Sequence, residues 1–298
     1  METAAAQRFA LGIGSAALAA CVATRAPADS DSSRALRPPP PNLAAAEARW
    51  KAAPAELDAI VWYGRRLGYE GRFDEAVAVY SAGLEQHPLD PELLRHRGHR
   101  YLSLRRFEEA RADLEQAARV LEREPDRIEL DGAPNDFGVP RGTLHTNVWY
   151  HLGLAYHCLR RDEDAARAFA LCLAAAGNDD FRVAAAYWRA LALIHLGSAG
   201  GARELAGLYA GRELELMESF DYAELLRLYA GTSTRALDQL AAAETPLVRA
   251  TLAYGAAMWH RLEGREPEAR DALLALVGSE GSAAFGRIAA EVELGRMH

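Results

Sequence analysis

The sequence is poor in lysine and cysteine, and its main part has no long apolar run. Lys51 is the only lysine among 298 residues, and 34 basic residues stand against 42 acidic ones, a net charge of −8. This balance argues against DNA or an anionic lipid surface as the main partner. No stretch of eighteen or more apolar residues follows residue 21, so nothing later in the chain predicts a transmembrane helix.

Two of the three cysteines, Cys158 and Cys172, fall in one predicted helical hairpin. An exported protein could oxidise such a pair. Their predicted heights on the two helices differ, which favours free thiols. Half of all residues are hydrophobic, so the chain can bury a large core.

The N-terminus has the features of an export signal. A positive charge precedes an apolar stretch at residues 9 to 20, which has signal-peptide length. The letters LAAC at positions 18 to 21 resemble the lipobox of bacterial lipoproteins. This resemblance implies a signal peptide at residues 1–20 and a lipid on the Cys21 thiol. Because Val22 rather than Asp follows, it implies the outer membrane, facing the periplasm. The alternative is a soluble periplasmic or cytoplasmic protein without lipidation.

Residues 21–54 are rich in Ser, Asp and Pro, with four consecutive prolines at 38 to 41. Such a segment buries too little apolar surface to fold, and the prolines favour a stiff polyproline helix. We therefore expect a disordered tether between the lipid anchor and a folded body at residues 55–298.

Small and large residues recur from residue 57 onward, at first every thirty-four positions. Three units share the pattern: Gly64, Leu67, Ala76, Tyr80 and Gly83; Gly98, Tyr101, Ala110, Leu114 and Ala117; and Trp149, Gly153, Tyr156, Ala165 and Phe169. This period resembles the tetratricopeptide repeat (TPR) family. The letters LGYEGRFDEA at 67 to 76 match that family's turn, and Pro88 stands where the family ends its second helix. The resemblance implies an all-α, TPR-like α-solenoid, a right-handed superhelix of antiparallel helix pairs.

The repeat is interrupted once and becomes weaker toward the C-terminus. Twenty-one extra residues fall in segment 123–146, where Pro, Gly, Asp and Asn break any helix. We expect an inserted loop there, packed against the stack or partly covering a groove. Residues 283–294 are predicted as a capping helix that covers the open end of the stack.

The TPR resemblance also implies a protein-binding groove on the concave side. Family positions carried onto this sequence place nine side chains there: Arg65, Tyr69, Arg95, His99, Tyr150, Leu154, His157, Tyr187 and Tyr254. Tyr150, Tyr187 and Tyr254 share one repeat position, either as anchors for a partner or as filling between neighbouring first helices. The Lys and Asn pattern by which some family members bind a terminal carboxylate is not reproduced, so a different ligand is expected.

A local basic stretch lies within the second unit. It contains Arg95, Arg97, Arg100, Arg105, Arg106 and Arg111. These side chains could bind an acidic or phosphate-bearing ligand, or they could form a solvated helix face neutralised by Glu108 and Glu109.

Motifs of enzymes and metal sites are missing. No hydrolase nucleophile, zinc-protease, paired-cysteine or phosphate-loop motif occurs. His96 and His99 stand one helical turn apart, but no acidic or thiol ligand completes a metal site. We expect a non-catalytic, lipid-anchored scaffold or adaptor in the bacterial envelope, without metal or cofactor, which binds a protein or peptide and no nucleic acid. The competing hypothesis is an enzyme with a site between the groove and the inserted loop.

Overall fold

The computed structural model describes residues 39–132, 135, 137–279 and 283–297. Within these ranges the chain forms fourteen helices and one isolated antiparallel bridge, Ile128 to Thr143. The helices are α1 (Leu43–Ala52), α2 (Leu57–Tyr69), α3 (Phe73–Gln86), α4 (Pro91–Ser103), α5 (Phe107–Leu121), α6 (Leu144–Cys158), α7 (Asp162–Ala175), α8 (Asp179–His195), α9 (Ala199–Ala210), α10 (Phe220–Tyr229), α11 (Arg235–Ala241), α12 (Pro246–Leu262), α13 (Glu266–Val277) and α14 (Phe285–Leu294). Consecutive helices pack as antiparallel neighbours, so the predicted all-α, TPR-like fold is confirmed.

Close packing between paired helices depends on glycine. In the first three pairs, a glycine on the first helix faces a large side chain on the second. A Cβ on Gly64 would lie 2.4 Å from Tyr80 Cζ, and one on Gly153 would lie 2.6 Å from the Phe169 ring. The two backbones approach this closely because no side chain stands between them. The alternation of small and large residues in the sequence therefore reflects contacts within each pair.

Each of the six helix pairs turns through one residue with positive φ. Glycine holds this position in four pairs, at Gly71, Gly197, Gly231 and Gly264. In the second and third pairs it is held by Arg105 (φ 61°) and Arg160 (φ 60°). The left-handed conformation costs a non-glycine residue roughly 1–2 kcal/mol. This cost points to a role for the two arginine side chains.

The structure differs from the predicted tether at its C-terminal end. Residues Leu43–Ala52 form α1, whereas disorder was expected as far as residue 54. The Asn42 side chain caps this helix, and Trp50 stacks on Tyr63 of α2 with ring centroids 5.0 Å apart. The prediction of disorder is wrong for Leu43–Ala52. The helix α1 is stabilised by packing on α2, and the local amino-acid composition does not reveal this contact.

The inserted segment connects α5 to α6. Its described residues before Leu144 contain no helix, whereas the last three residues predicted for it, 144 to 146, are the first residues of α6. Its two ends pair with each other: the Glu129 amide donates to the Gly142 carbonyl oxygen at 3.0 Å, and the Leu144 amide donates to that of Arg127 at 2.9 Å. This pairing fixes the loop at the start of α6 and directs the buried Glu129 side chain toward α2 and α4.

Three sequence features concern export and redox state. The predicted signal peptide at residues 1–20 and Cys21 lie outside the described residues. None of the helices within the described ranges is both long and apolar enough to cross a membrane. Cys158 and Cys172 are buried free thiols.

Replacing Gly153 by Ala should destabilise the protein, because the new Cβ would overlap the buried Phe169 ring. Such overpacking costs about 1–3 kcal/mol, against the roughly 1 kcal/mol by which Ala favours a helix over Gly. Gly207→Ala is the matched control, since no described atom lies within 4 Å of a Cβ at that helical position. Thermal unfolding followed by circular dichroism should give a lower Tm for Gly153→Ala and an unchanged or higher Tm for the control. An equal rise in the Tm of both variants would contradict the close packing of Gly153 on Phe169.

Candidate functional site

The first helices of the six pairs lie side by side along the stack. We call the surface formed by α2, α4, α6, α8, α10 and α12 the inner face. The last helix, α14, packs on α12 and α13 and also contacts α6, three pairs earlier. It therefore does not only cover the open end, as predicted for residues 283–294. It also lies against the inner face, where an open groove was expected.

The beginning of α14 fits closely against three helices of the inner face. A Cβ on Gly286 would lie 2.3 Å from the Ala250 carbonyl oxygen of α12, so only glycine allows this approach. The Phe285 ring centroid lies 5.3 Å from that of His99 on α4 and 5.8 Å from that of His151 on α6. These contacts connect α14 to both halves of the stack.

The two arginines at the helix turns bind α14. The Arg105 guanidinium donates two hydrogen bonds of 2.9 Å to the Glu291 carboxylate. The Arg160 guanidinium lies 3.5 Å from the Val292 carbonyl oxygen. Glycine holds this turn position in the other four pairs. The unfavourable φ is therefore accompanied by side-chain contacts that a glycine could not make.

A buried ionic network surrounds Glu293, which has no exposed surface. Its carboxylate accepts a hydrogen bond from Arg261 Nη1 at 2.8 Å and lies 3.1 Å from both His195 Nε2 and Arg296 Nε. Arg296 and His195 also contact Asp162, at 2.8 Å and 3.4 Å. The network joins α14 and the residues after it to α7, α8 and α12.

His195 of this network and the neighbouring His157, whose ring centroids lie 5.2 Å apart, have opposite pKa shifts. Burial acts to lower the pKa of His195, but the carboxylates of Asp162 and Glu293 raise it by more, so the net shift is upward. Burial lowers the pKa of His157 to about 3, so this imidazole is a weak base. His195 therefore favours its charged form and His157 its neutral form.

The same residues have the spacing of a metal site. Possible ligand atoms of His157, His195 and Glu293 lie within 4.8 Å of one another. However, Glu293 already contacts the guanidiniums of Arg261 and Arg296. A divalent cation would have to displace these cations, so the geometry favours an ionic network over a metal centre.

Five predicted groove residues are at most 9 % exposed: Tyr150, Leu154, His157, Tyr187 and Tyr254. Trp188 Nε1 donates to the Tyr150 hydroxyl at 2.9 Å, and the Tyr254 hydroxyl is hydrogen-bonded to His157 Nε2 at 2.9 Å. The tyrosines thus fill space between neighbouring first helices, the second of the two roles considered for them. The structure differs from the expectation of an open face because α14 and these contacts cover it.

A small cavity remains between the tyrosines and the beginning of α14. Tyr187, Tyr254, Phe285 and Gly286 are among the residues that line it, and its volume is about 30 Å³. The Tyr187 hydroxyl is buried and has no hydrogen-bond partner among the described residues. The cavity has room for about one water molecule, so a larger ligand could enter only if α14 moved.

The predicted groove residues of the first two pairs form a second cluster with the inserted loop. The buried Glu129 carboxylate lies 3.2 Å from Arg95 Nη2 and 3.9 Å from Arg65 Nη1. The Tyr69 hydroxyl lies 3.5 Å from Arg65 Nη2, and Tyr69 is 52 % exposed. The His99 ring lies against His151, in addition to Phe285, with ring centroids 4.4 Å apart. The loop therefore contributes the acidic partner of this cluster.

Glu293 and His195 of the ionic network, and Glu129 of the second cluster, are not among the site residues predicted from the sequence. Glu293 lies on the buried face of α14 with Ala289 and Ala290, so an acidic residue on a stripe of small residues was a usable signal. The sequence contains no comparable signal for Glu129, because its partners lie on helices far away along the chain.

The first helix pair matches a known protein family. Residues 57–99 match the family model of the tetratricopeptide repeat. The chain contains a tetratricopeptide repeat. The TPR match begins at the first residue of α2 and ends within α4, and it includes Gly64, Tyr80 and Gly98. No curated protein matches the chain significantly.

Two solved TPR structures resemble the chain at low sequence identity. One is YrrB, described as a TPR protein with an unusual peptide-binding site, at 13 % identity and a TM-score of 0.44, covering 78 % of this chain and 90 % of YrrB. The other is a TPR protein from Parabacteroides merdae, at 15 % identity and a TM-score of 0.49, covering 84 % of this chain and 90 % of that one. Neither likeness is close enough to transfer a binding site.

Replacing Glu293 by Gln should strongly destabilise the protein, because Arg261, Arg296 and His195 would lose their buried counter-charge. Removing one partner of a buried ionic network costs about 3–5 kcal/mol. Glu291→Gln is the matched control on the same helix. Its ion pair with Arg105 is about one-third exposed, so its loss should cost about 1 kcal/mol or less. Denaturant unfolding measures both free energies, and equal small losses would show that Glu293 does not hold α14.

Proposed function

We propose that this chain is a non-catalytic protein-binding scaffold whose inner face binds a helical segment of a partner in place of α14. The observation that carries the proposal is that the inner face already binds one helix, that of its own C-terminal region. The chain thus has a surface whose shape and charge suit a helix, and α14 occupies that surface.

The contacts of α14 indicate what a competing segment needs. Gly286 allows close approach to α12, Phe285 packs on His99, and Glu291 and Glu293 pair with basic side chains of the stack. A partner helix with a small residue, an aromatic residue and two acidic residues at matching positions would make the same contacts. Since α14 is attached covalently, its effective concentration is on the order of millimolar, and a partner must overcome this advantage.

The residues predicted for the groove fit this proposal by their position. His99 contacts Phe285, Tyr187 and Tyr254 line the cavity beside it, and the His157 carbonyl oxygen accepts a hydrogen bond from Arg296 at 2.9 Å. They would meet a partner segment only after α14 moved. Their role in binding stays a prediction.

The alternative of an enzyme receives little support from the histidines on which it depends. Burial lowers the pKa of His99 well below its usual value and that of His157 to about 3. Both imidazoles contact aromatic rings, an environment that favours packing over proton transfer.

We also propose that the scaffold is anchored by a lipid on Cys21, at the bacterial outer membrane facing the periplasm. The support is the lipobox-like order of an apolar stretch, small residues and cysteine at positions 9 to 21. Residues 22 to 42 would then separate the lipid from α1.

Lipidation should give a mature N-terminal peptide that begins at Cys21 and carries the mass of a diacylglyceryl group. Mass spectrometry of the protein from a bacterial envelope fraction measures this mass. The Cys21→Ser variant should lack the modification and leave the membrane fraction. An unmodified wild-type peptide that extends back through Ala20 would show that the chain is not a lipoprotein.

A labelled synthetic peptide of residues 283–297 should bind the full-length Gly286→Val variant at least about tenfold more tightly than the wild type. The valine would clash with the Ala250 carbonyl oxygen and weaken the internal helix, which would otherwise occupy the site. Fluorescence anisotropy measures the two affinities. Gly207→Ala is the control protein, and a peptide with Gln at positions 291 and 293 is the control ligand. If neither protein binds the native peptide, the inner face does not accept a helix from outside.

A further inference from the structure

The arginines of the basic stretch in the second helix pair differ in whether a carboxylate on one of the helices neutralises them. Carboxylates neutralise four of its six guanidiniums through contacts of 2.7 to 2.9 Å: Arg97 with Asp113, Arg105 with Glu291, Arg106 with Glu109, and Arg111 with Glu108 and Glu115. Arg95 and Arg100 remain. They lie one and a half helical turns apart on α4, beside Arg65 of α2. The interpretation as a solvated face neutralised by Glu108 and Glu109 therefore fits Arg106 and Arg111. The other arginines of the stretch have different acidic partners or, among the described residues, none.

Arg65, Arg95 and Arg100 form a cationic cluster with a deficit of negative charge. Within the described ranges, Glu129 is the one carboxylate at ion-pair distance from Arg65 or Arg95, and none lies at that distance from Arg100. Arg100 Nη1 instead occupies the space beside Gly68, 2.3 Å from where a Cβ on that residue would lie, and the guanidinium lies over the Phe73 ring at 5.5 Å. Among the described residues, Glu129 is thus the acidic partner of Arg65 and Arg95, and Arg100 has no acidic partner.

Burial makes this deficit costly. Arg95 is 7 % exposed, and its Nε atom has no hydrogen-bond partner in the described part of the chain. Burial lowers the pKa of Arg95 and lowers that of Arg100 to about 10. The adjacent imidazole of His96 accepts a hydrogen bond from Arg95 Nη1 at 2.8 Å and adds no negative charge. A second anion would relieve the repulsion between the guanidiniums.

The cluster has an open side at the end of α2. Arg100 is partly exposed, and Tyr69, beside Arg65, is 52 % exposed. The loop borders this side, since a Cβ on Gly132 would overlap the Tyr69 hydroxyl. A ligand can therefore approach here without displacing α14, with an aromatic ring available to pack on it.

The missing Lys and Asn pattern predicted a ligand other than a terminal carboxylate. We infer instead, from different side chains, that the cluster of Arg65, Arg95 and Arg100 binds a carboxylate from an acidic segment of a protein partner. Arg100 provides one guanidinium without a counter-ion, and its planar fork matches the two oxygens of a carboxylate. Arg65 and Arg95 are already engaged with Glu129, which leaves fewer donors than a phosphate dianion requires. The inference rests on the proposed function in one respect, namely that the ligand belongs to a protein.

The test uses full-length protein and two fluorescein-labelled probes, a short oligo-glutamate peptide and an oligo-glutamine peptide of equal length. We expect the wild type to bind the oligo-glutamate peptide and not the other. Arg100→Met, which keeps the apolar stem, should weaken binding about tenfold or more, as expected for loss of a charged hydrogen-bonded pair. The matched control Arg106→Met removes an arginine that is paired with Glu109 and should leave the affinity unchanged.

The Tm of ligand-free Arg100→Met should be equal to or higher than that of the wild type, because an uncompensated charge is removed.

Other results would overturn the inference. The cluster is not a carboxylate site if the wild type binds the two peptides equally or binds neither. The same conclusion follows if Arg100→Met and Arg106→Met lose the same amount of affinity for the oligo-glutamate peptide. Displacement of the peptide by inorganic phosphate at much lower concentration than by acetate would assign the site to phosphate instead. Binding of a helix to the inner face is tested separately, with the 283–297 peptide and the Gly286→Val variant. A negative result with the oligo-glutamate peptide therefore does not affect the conclusion about the inner face.

Discussion

The attachment of α14 to the inner face is the interaction on which the rest of the structure depends. A linear stack of helix pairs contacts only its neighbours, but here residues 186 positions apart, Arg105 and Glu291, form a bidentate ion pair. The attachment closes the stack on itself. It turns a surface that would face solvent into a buried one, and it explains why tyrosines at repeated positions are covered.

The chemistry of this attachment differs from that of the helix pairs. The pairs are held by apolar packing such as that of Gly153 on Phe169, which is insensitive to charge. The helix α14 buries Ile288, Ala289 and Ala290, and ion pairs of Glu291 and Glu293 with arginines of the stack also hold it. Buried ionic contacts contribute less net stability than apolar packing of equal size, because desolvation offsets their attraction. The chain therefore combines helix pairs held by apolar packing with a closing helix whose attachment also depends on charge.

The repeat could be read from the sequence because its contacts are local. Gly64 and Tyr80 are sixteen residues apart, and the same spacing recurs at Gly98 and Gly153. The position of α14 could not be read in this way, since Glu293 meets His195 and Arg261 only after the whole stack has formed. One local clue existed: arginine at two turns that elsewhere carry glycine. The charge deficit around Arg100 was equally hidden, because the basic stretch does not reveal which arginines find carboxylates.

Amide hydrogen exchange of the full-length protein, resolved over residues 285 to 294, tests the docking of α14 most directly. If α14 lies on the inner face as an element that a partner can replace, its amides should be protected far more than those of an unstructured chain but less than those of α12, because α14 can open while the stack stays folded. Exchange of α14 at the rate of an unstructured chain, while α12 stays protected, would contradict a closed inner face.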